Sequence, residues 1–177
     1  MLVDPMAEAA LLSMDDFDAV YAAYYQDVFR TTRSIVLDEG LAEDVTQEVF
    51  LKAYRARHSY RPTSSVGAWL HTIAVRRALS KLRWVQLQQR VLNALGPMRT
   101  SVADPFHLDS VAELLSSASP TTRAAIALHY FHGYRYREIA EMLRIPEGTV
   151  ATRIANGLKQ IRKTLEIASE EPVAASR

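Results

Sequence analysis

Apolar residues recur at helical spacing along most of the chain. Phe17, Val20, Tyr21, Tyr24, Val28 and Ile35 share one face, which predicts a first helix with a single core-facing stripe. Ser13-x-x-Asp16 ahead of it resembles a capping box, and Leu37-Asp38-Glu39-Gly40 reads as its end. A second helix is predicted from roughly Leu41 to Arg57. Val45, Val49 and Ala53 form its apolar stripe, while Asp44, Gln47, Glu48 and Leu51 form another at i, i+3, i+4 and i+7. The turn-rich "SYRPTSS" from Ser59 to Ser65 precedes a third helix that starts near Val66. There Trp69, Leu70, Ile73 and Ala74 face a core. No segment shows the alternation of a half-buried strand bounded by turn residues.

From about Gln86 the periodicity weakens. "NALGPMRTSVADP" carries Gly-Pro and Asp-Pro, the marks of a loop. The pattern therefore predicts an all-α chain of two helical domains, 1–85 and 111–177, joined by a flexible linker over 86–110. In the second domain, Ser119 and Pro120 suit the start of a helix that continues through Ala124 to Phe131. "HGYR" then turns the chain. "EIAEMLRIPEGTVATRI" (Glu138 to Ile154) reads as two helices broken at Arg144-Ile145-Pro146. Ala140 is small where two helices would cross, and Val150 would pack back on the first. Leu143, Ile145, Ile154, Leu158 and Ile161 extend that seam. The other face offers Thr149, Thr152, Arg153, Asn156, Lys159 and Lys163. Glu147 and Gly148 leave a helix N-terminus open, where backbone N–H groups favour a phosphate. Such a unit is either a packing hairpin with a charged surface or a helix-turn-helix that enters a DNA groove.

Charge alters the picture only through its distribution, because 21 basic and 20 acidic residues leave a net charge of +1. From Arg76 to Arg90 lie Arg76, Arg77, Lys81, Arg83 and Arg90 with Trp84 among them and no acid. Cations that track phosphates beside a ring that stacks on bases suit a single-stranded nucleic acid, and a solvated cationic face is the alternative. Cysteine is absent, which excludes a disulfide framework, a thiolate zinc site and a thiol nucleophile. His58, His71, His107, His129 and His132 show no metal-ligand spacing with carboxylates; His129 and His132 are i, i+3 on one predicted helix without a third ligand nearby. No triad order, phosphate loop or paired carboxylates stand out. No catalytic residue, metal or cofactor is expected. The acidic start "MLVDPMAEAALLSMDDF" is unlike a basic signal peptide, and no apolar run would span a membrane. A cytoplasmic protein without membrane insertion is expected.

Taken together, three segments resemble the extracytoplasmic-function (ECF) group of bacterial RNA polymerase sigma factors. "AEDVTQEVFLKAY" (Ala42 to Tyr54) is similar to the family's segment that binds core RNA polymerase. "VGAWLHTIAVRRALSKLRW" (Val66 to Trp84) is similar to its promoter-melting segment. "SPTTRAAIALHYFHGYRYREIAEMLRIPEGTVATRI" is similar to its second domain. The resemblance covers Phe17 to Leu165, with the segments in family order. It implies a factor that makes and breaks no covalent bond and directs polymerase to promoters. Asp44, Gln47 and Glu48, with Leu51 and Tyr54, would meet the polymerase clamp helices. Tyr60 and Arg61, in the loop to Ser65, would serve the capture of a flipped base. Arg76, Arg77, Ser80, Lys81, Arg83 and Trp84 would hold the melted −10 element. Arg135, Thr149, Thr152, Arg153, Asn156 and Lys159 would grip the −35 element. Partners would be core RNA polymerase, double- and single-stranded promoter DNA, and an anti-sigma factor.

The sequence departs from the family's habit in places. Arg76 and Ser80 stand where Asn and Asp are usual, which strengthens attraction to the backbone and weakens base choice. Arg144 takes a turn position often given to Gly, and Arg135 a helix-cap position often given to Ser or Thr. Ala151 and Ala155 replace longer side chains, which shifts upstream readout toward DNA shape. Two other functions stay open at this point. One is a helix-turn-helix regulator that never joins polymerase, which would not need the Asp44, Gln47, Glu48 stripe. The other is a helical adaptor module, which would not need the acid-free basic run.

Overall fold

The computed structural model describes residues 17–60, 64–94 and 114–170. Among them every regular element is helical. Helices α1 (Phe17–Val36), α2 (Glu39–Ala56) and α3 (Val66–Ala94) form the first half, with a short 3-10 turn (Arg57–Ser59) after α2. Helices α4 (Pro120–Tyr130), α5 (Tyr136–Leu143) and α6 (Glu147–Glu170) form the second. The expected cap at Ser13 and Asp16, Arg61, His107 and the latter part of the expected linker lie outside the described residues.

Two local expectations are revised. Leu37 does end α1, which stops at Val36, but α2 begins at Glu39 instead of near Leu41: Leu37 takes a left-handed φ of 65°, and Asp38 already caps α2. The Asp38 carboxylate accepts the Leu41 N–H at 2.6 Å. An Asp cap and an acid in the first turn, Glu39, together favour starting the helix early. At the other end, α3 continues to Ala94, so the first part of the segment read as linker is helical. "VQLQQRVLNA" (85–94) contains neither Gly nor Pro, and Gln86 to Val91 are exposed. Propensity, not burial, carries that stretch.

The first half buries Val20, Val28, Ile35, Val45, Val49, Val66, Leu70 and Ala74 completely. These are the stripes expected of the three helices. Tyr21 is the exception: it is 42% exposed and rests against Phe50, with ring centroids 4.7 Å apart. In the second half, α4 packs largely through small side chains. Ala124, Ala125 and Ala127 of α4 are fully buried. A Cβ on Gly157 of α6 would come within 2.5 Å of Thr122 Cγ2 and 2.9 Å of Ile126 Cδ1, so this crossing admits only glycine without a shift.

The turn between α5 and α6 has the strained residue that the sequence suggested. Arg144 adopts φ 55°, ψ 49°, and the N–H groups of Arg144 and Ile145 both donate to the Ala140 carbonyl. This is a left-handed helix ending without glycine. At the start of α5 the missing Ser/Thr cap is partly replaced, because Glu138 accepts the Arg135 N–H at 2.7 Å.

The two halves are docked and share one apolar core. Two arginines stitch them. Arg123 of α4 is buried; its Nε and Nη2 donate to the Ile35 carbonyl at 3.0 and 2.6 Å, and its Nη1 to Ala118 at 2.8 Å. Arg76 of α3 donates to the Met142 and Glu141 carbonyls at 3.2 and 3.4 Å. Each arginine thus satisfies C-terminal carbonyls of a helix in the opposite half, groups that the helix itself leaves unpaired.

Candidate nucleic-acid interface

Helix α2 separates its two stripes as the spacing predicts. Val45, Val49 and Ala53 are buried, while Asp44, Gln47 and Leu51 are exposed, Leu51 by 51%. Tyr54 extends this face at 39% exposure. Glu48 differs from its neighbours. It pairs with Arg77 of α3 and lies 3.6 Å from Lys81. Partial burial pushes its carboxyl upward, but the bond and charge of Arg77, and then Lys81, outweigh this and hold it below the usual carboxylate range.

The α3 cations expected to hold a melted strand are therefore partly engaged within the protein. Arg77 and Lys81 sit on Glu48, and Arg76 sits on the end of α5. Arg83 and Ser80 are exposed. Trp84, 54% exposed, does not pack into the core. Lys52, Arg76, Arg77, Ser80, Arg83 and Arg144 line a cleft of about 460 Å³ where the two halves meet. Burial, and then the nearby Arg144, weaken the hold of Arg76 on its proton. Tyr60 packs against Trp69 with centroids 5.3 Å apart, and its hydroxyl donates to the Ser64 carbonyl at 2.5 Å.

Helix α6 buries Val150, Ile154 and Gly157 against α4 and α5. It leaves Thr152, Asn156 and Lys159 exposed and Thr149 and Arg153 half-buried. The Thr152 hydroxyl donates to the Gly148 carbonyl at 2.9 Å. Glu141, one of the acids that could have neutralised Arg153, lies 3.6 Å from Arg137 instead. Among the described residues no ion pair engages Arg153. Arg135 is exposed at the head of α5. Among the described residues no group of histidines and carboxylates could hold a metal ion, and no helix is long and apolar enough to cross a membrane.

A half that presents a polar α2 face and a basic α3, followed by a helix-turn-helix, matches two family models. Residues 20–86 match Sigma-70 region 2, and residues 108–161 match Sigma-70, region 4. The ECF RNA polymerase sigma factor SigX of Bacillus subtilis (strain 168) is 31% identical over 89% of this chain and 87% of its own length. The chain belongs to the ECF RNA polymerase sigma factors. An ECF sigma factor SigK from Mycolicibacterium vanbaalenii is also 31% identical, over 94% of this chain and 93% of its own. Two solved structures share the fold. RpoE of Bartonella quintana, in complex with the anti-sigma factor NepR, superposes with a TM-score of 0.69 at 22% identity, over 87% of this chain and 99% of that one. CnrH, in complex with the cytosolic domain of CnrY, gives 0.66 at 21%, over 92% and 96%. As an ECF sigma factor the protein joins core RNA polymerase and directs initiation at promoters.

Sequence reasoning passed over three features of this sigma factor. Arg123 is one cation beside the apolar run Ala124 to Leu128 and carries no local signal of its burial. Gly157 was a glycine in register with Val150 and Ile154. His71, His132 and Tyr134 carried no local signal, since they meet only across the two halves.

Proposed function

We propose that this sigma factor divides its work between the two halves. Asp44, Gln47, Glu48 and Leu51 contact core polymerase. Tyr60, Arg61, Arg76, Arg77, Ser80, Lys81, Arg83 and Trp84 hold and melt the −10 element. Arg135, Thr149, Thr152, Arg153, Asn156 and Lys159 grip the −35 element. The boundaries 1–85, 86–110 and 111–177 delimit the functional units. The observation that carries this reading is the arrangement of α2, where Asp44, Gln47 and Leu51 face solvent opposite a fully buried stripe. A polar face with an apolar centre suits a protein contact, and nothing in the fold requires it. Exposed Trp84 beside Arg83 suits unpaired bases in the same way.

The protein works in the cytoplasm, where polymerase and promoters are, and carries out no chemistry of its own. The complex of RpoE with the anti-sigma factor NepR supports an anti-sigma partner for this chain as well. The test is core-polymerase binding by Asp44→Ala with Glu48→Ala, with promoter opening by permanganate reactivity as a second readout. Weaker polymerase binding at unchanged helicity is expected. Wild-type affinity in the double variant removes the α2 assignment. Neutralising Arg76, Arg77 and Lys81 should reduce opening and its salt dependence.

A further inference from the structure

The seam between the halves contains a cluster that neither polymerase binding nor promoter reading uses. His71 of α3 is buried, and His132 lies just beyond α4, not on it as the spacing suggested; their ring centroids are 3.9 Å apart. Nδ1 of His71 is 2.9 Å from the Tyr134 hydroxyl. Its Nε2 is buried without a hydrogen-bond partner among the described residues. Nε2 of His132 is 2.7 Å from Thr31 Oγ1 of α1, whose hydroxyl donates to the Asp27 carbonyl at 2.9 Å. With that hydroxyl already donating, His132 supplies the proton of its own bond to Thr31. Both rings fit this cluster as neutral imidazoles. A second proton on His71 would either point its free nitrogen at no acceptor or turn Tyr134 from donor to acceptor, and two imidazolium rings in contact would repel.

The surrounding charges do not relieve this. Asp27 on α1 favours protonation of His132, but Arg30 opposes it and lies 4.0 Å from Asp27. His129 at the end of α4 is 2.9 Å from the Tyr134 carbonyl through its Nδ1. From α3 and α5, Arg76, Glu138 and Glu141 line the neighbouring cleft with Tyr134. No carboxylate is bonded to either ring among the described residues.

We propose that His71 and His132 form a pH-sensitive latch that keeps the two halves docked while both rings are neutral and releases them on protonation. Burial, and then His132, push His71 down to about 3; burial also lowers His132. A group whose docked value is depressed stabilises docking above its free value, ordinarily near 6.5, and loses that contribution as pH falls below it. Release matters to initiation, a consequence that rests on the sigma assignment although the docking does not. Elements centred about 25 base pairs apart are separated by about 85 Å at 3.4 Å per base pair. A compact chain of this length spans about 40 Å. Docking also keeps Arg76 on α5 and away from DNA.

The test uses the full chain, which has no native cysteine. Dyes on Arg55→Cys and Gln160→Cys, both exposed sites, report separation of the halves by energy transfer, with helicity followed by circular dichroism. From pH 7.5 to 5.5 the ratio of separated to docked molecules should rise about tenfold through His71 alone, and further through His132. His71→Phe with His132→Phe should flatten the response, and the gentler His132→Phe should reduce it. Constant transfer across this range overturns the latch. So does an equal response in the double phenylalanine variant, or a loss of helicity that accompanies the loss of transfer.

Discussion

The two halves of this sigma factor use opposite means to present positive charge. In the first half three cations of α3 are already occupied, Arg77 and Lys81 by Glu48 and Arg76 by the end of α5, while Arg83 stays exposed. In the second half Arg153 and Lys159 lie on a helix face with no ion pair among the described residues. Both halves bury branched side chains, but the α4–α6 crossing of the second is close enough that it also needs alanines and Gly157. On the proposed assignment, three of the −10 cations of the first half must be released from internal partners. On the same assignment, Arg153 and Lys159 of the second half need no such release, and its α4–α6 crossing has little room for change at Gly157.

The largest expected effect concerns the two stitching arginines. Arg123→Met removes three donors and leaves buried carbonyls of Ile35 and Ala118 unsatisfied. A loss of about 3 kcal/mol is expected in urea unfolding. Arg76→Met should lose about 1 kcal/mol or less, since that side chain is exposed and water can replace it. Equal losses would mean that the halves are held together symmetrically.

Next comes the tight crossing of α4 and α6. Gly157→Ala should destabilise by about 1–3 kcal/mol, because Thr122 and Ile126 must yield. Gly148→Ala, with nothing within 4 Å of its Cβ, should be neutral or stabilise by up to about 1 kcal/mol. Thermal midpoints of the pair would decide whether packing or propensity governs α6.

On the reading surface, Asn156→Ala should relax preference at a single base pair by about 1–3 kcal/mol if its contact is bidentate. Arg153→Ala should weaken all −35 variants about equally. A binding series over single-base variants at fixed salt separates the two. An unaltered preference profile in Asn156→Ala would mean that α6 reads shape and backbone.

The smallest effect compares the two left-handed non-glycine residues among the described residues, one in each half. Arg144→Gly relieves strain at an exposed position and should stabilise by about 0.5–1 kcal/mol. Leu37 has a similar φ, but its side chain packs on the core, so Leu37→Gly should destabilise instead. Chemical denaturation of both variants checks the sign.

Local pattern fixed much of this protein. The buried stripes of α1, α2 and α3, the Ser119–Pro120 helix start, the polar face of α2 and the helix-turn-helix all follow from spacing, because a helix places i, i+3, i+4 and i+7 together regardless of what lies elsewhere. The strain at Arg144 was legible for the same reason, as a turn position filled by a residue with a Cβ. Where local rules competed, boundaries moved: the Asp38 cap started α2 ahead of Leu41, and propensity carried α3 past the expected boundary. The tertiary structure alone decided which charges are free. Arg123 meets Ile35 across 88 residues of sequence, Arg76 meets Met142 across 66, and Glu48 claims Arg77 across 29. Hydrogen bonds and ion pairs act over a few ångströms in space and have no period along the chain. For that reason a sequence can show that a residue is charged or titratable, but only packing shows whether it faces solvent, a carbonyl or another histidine.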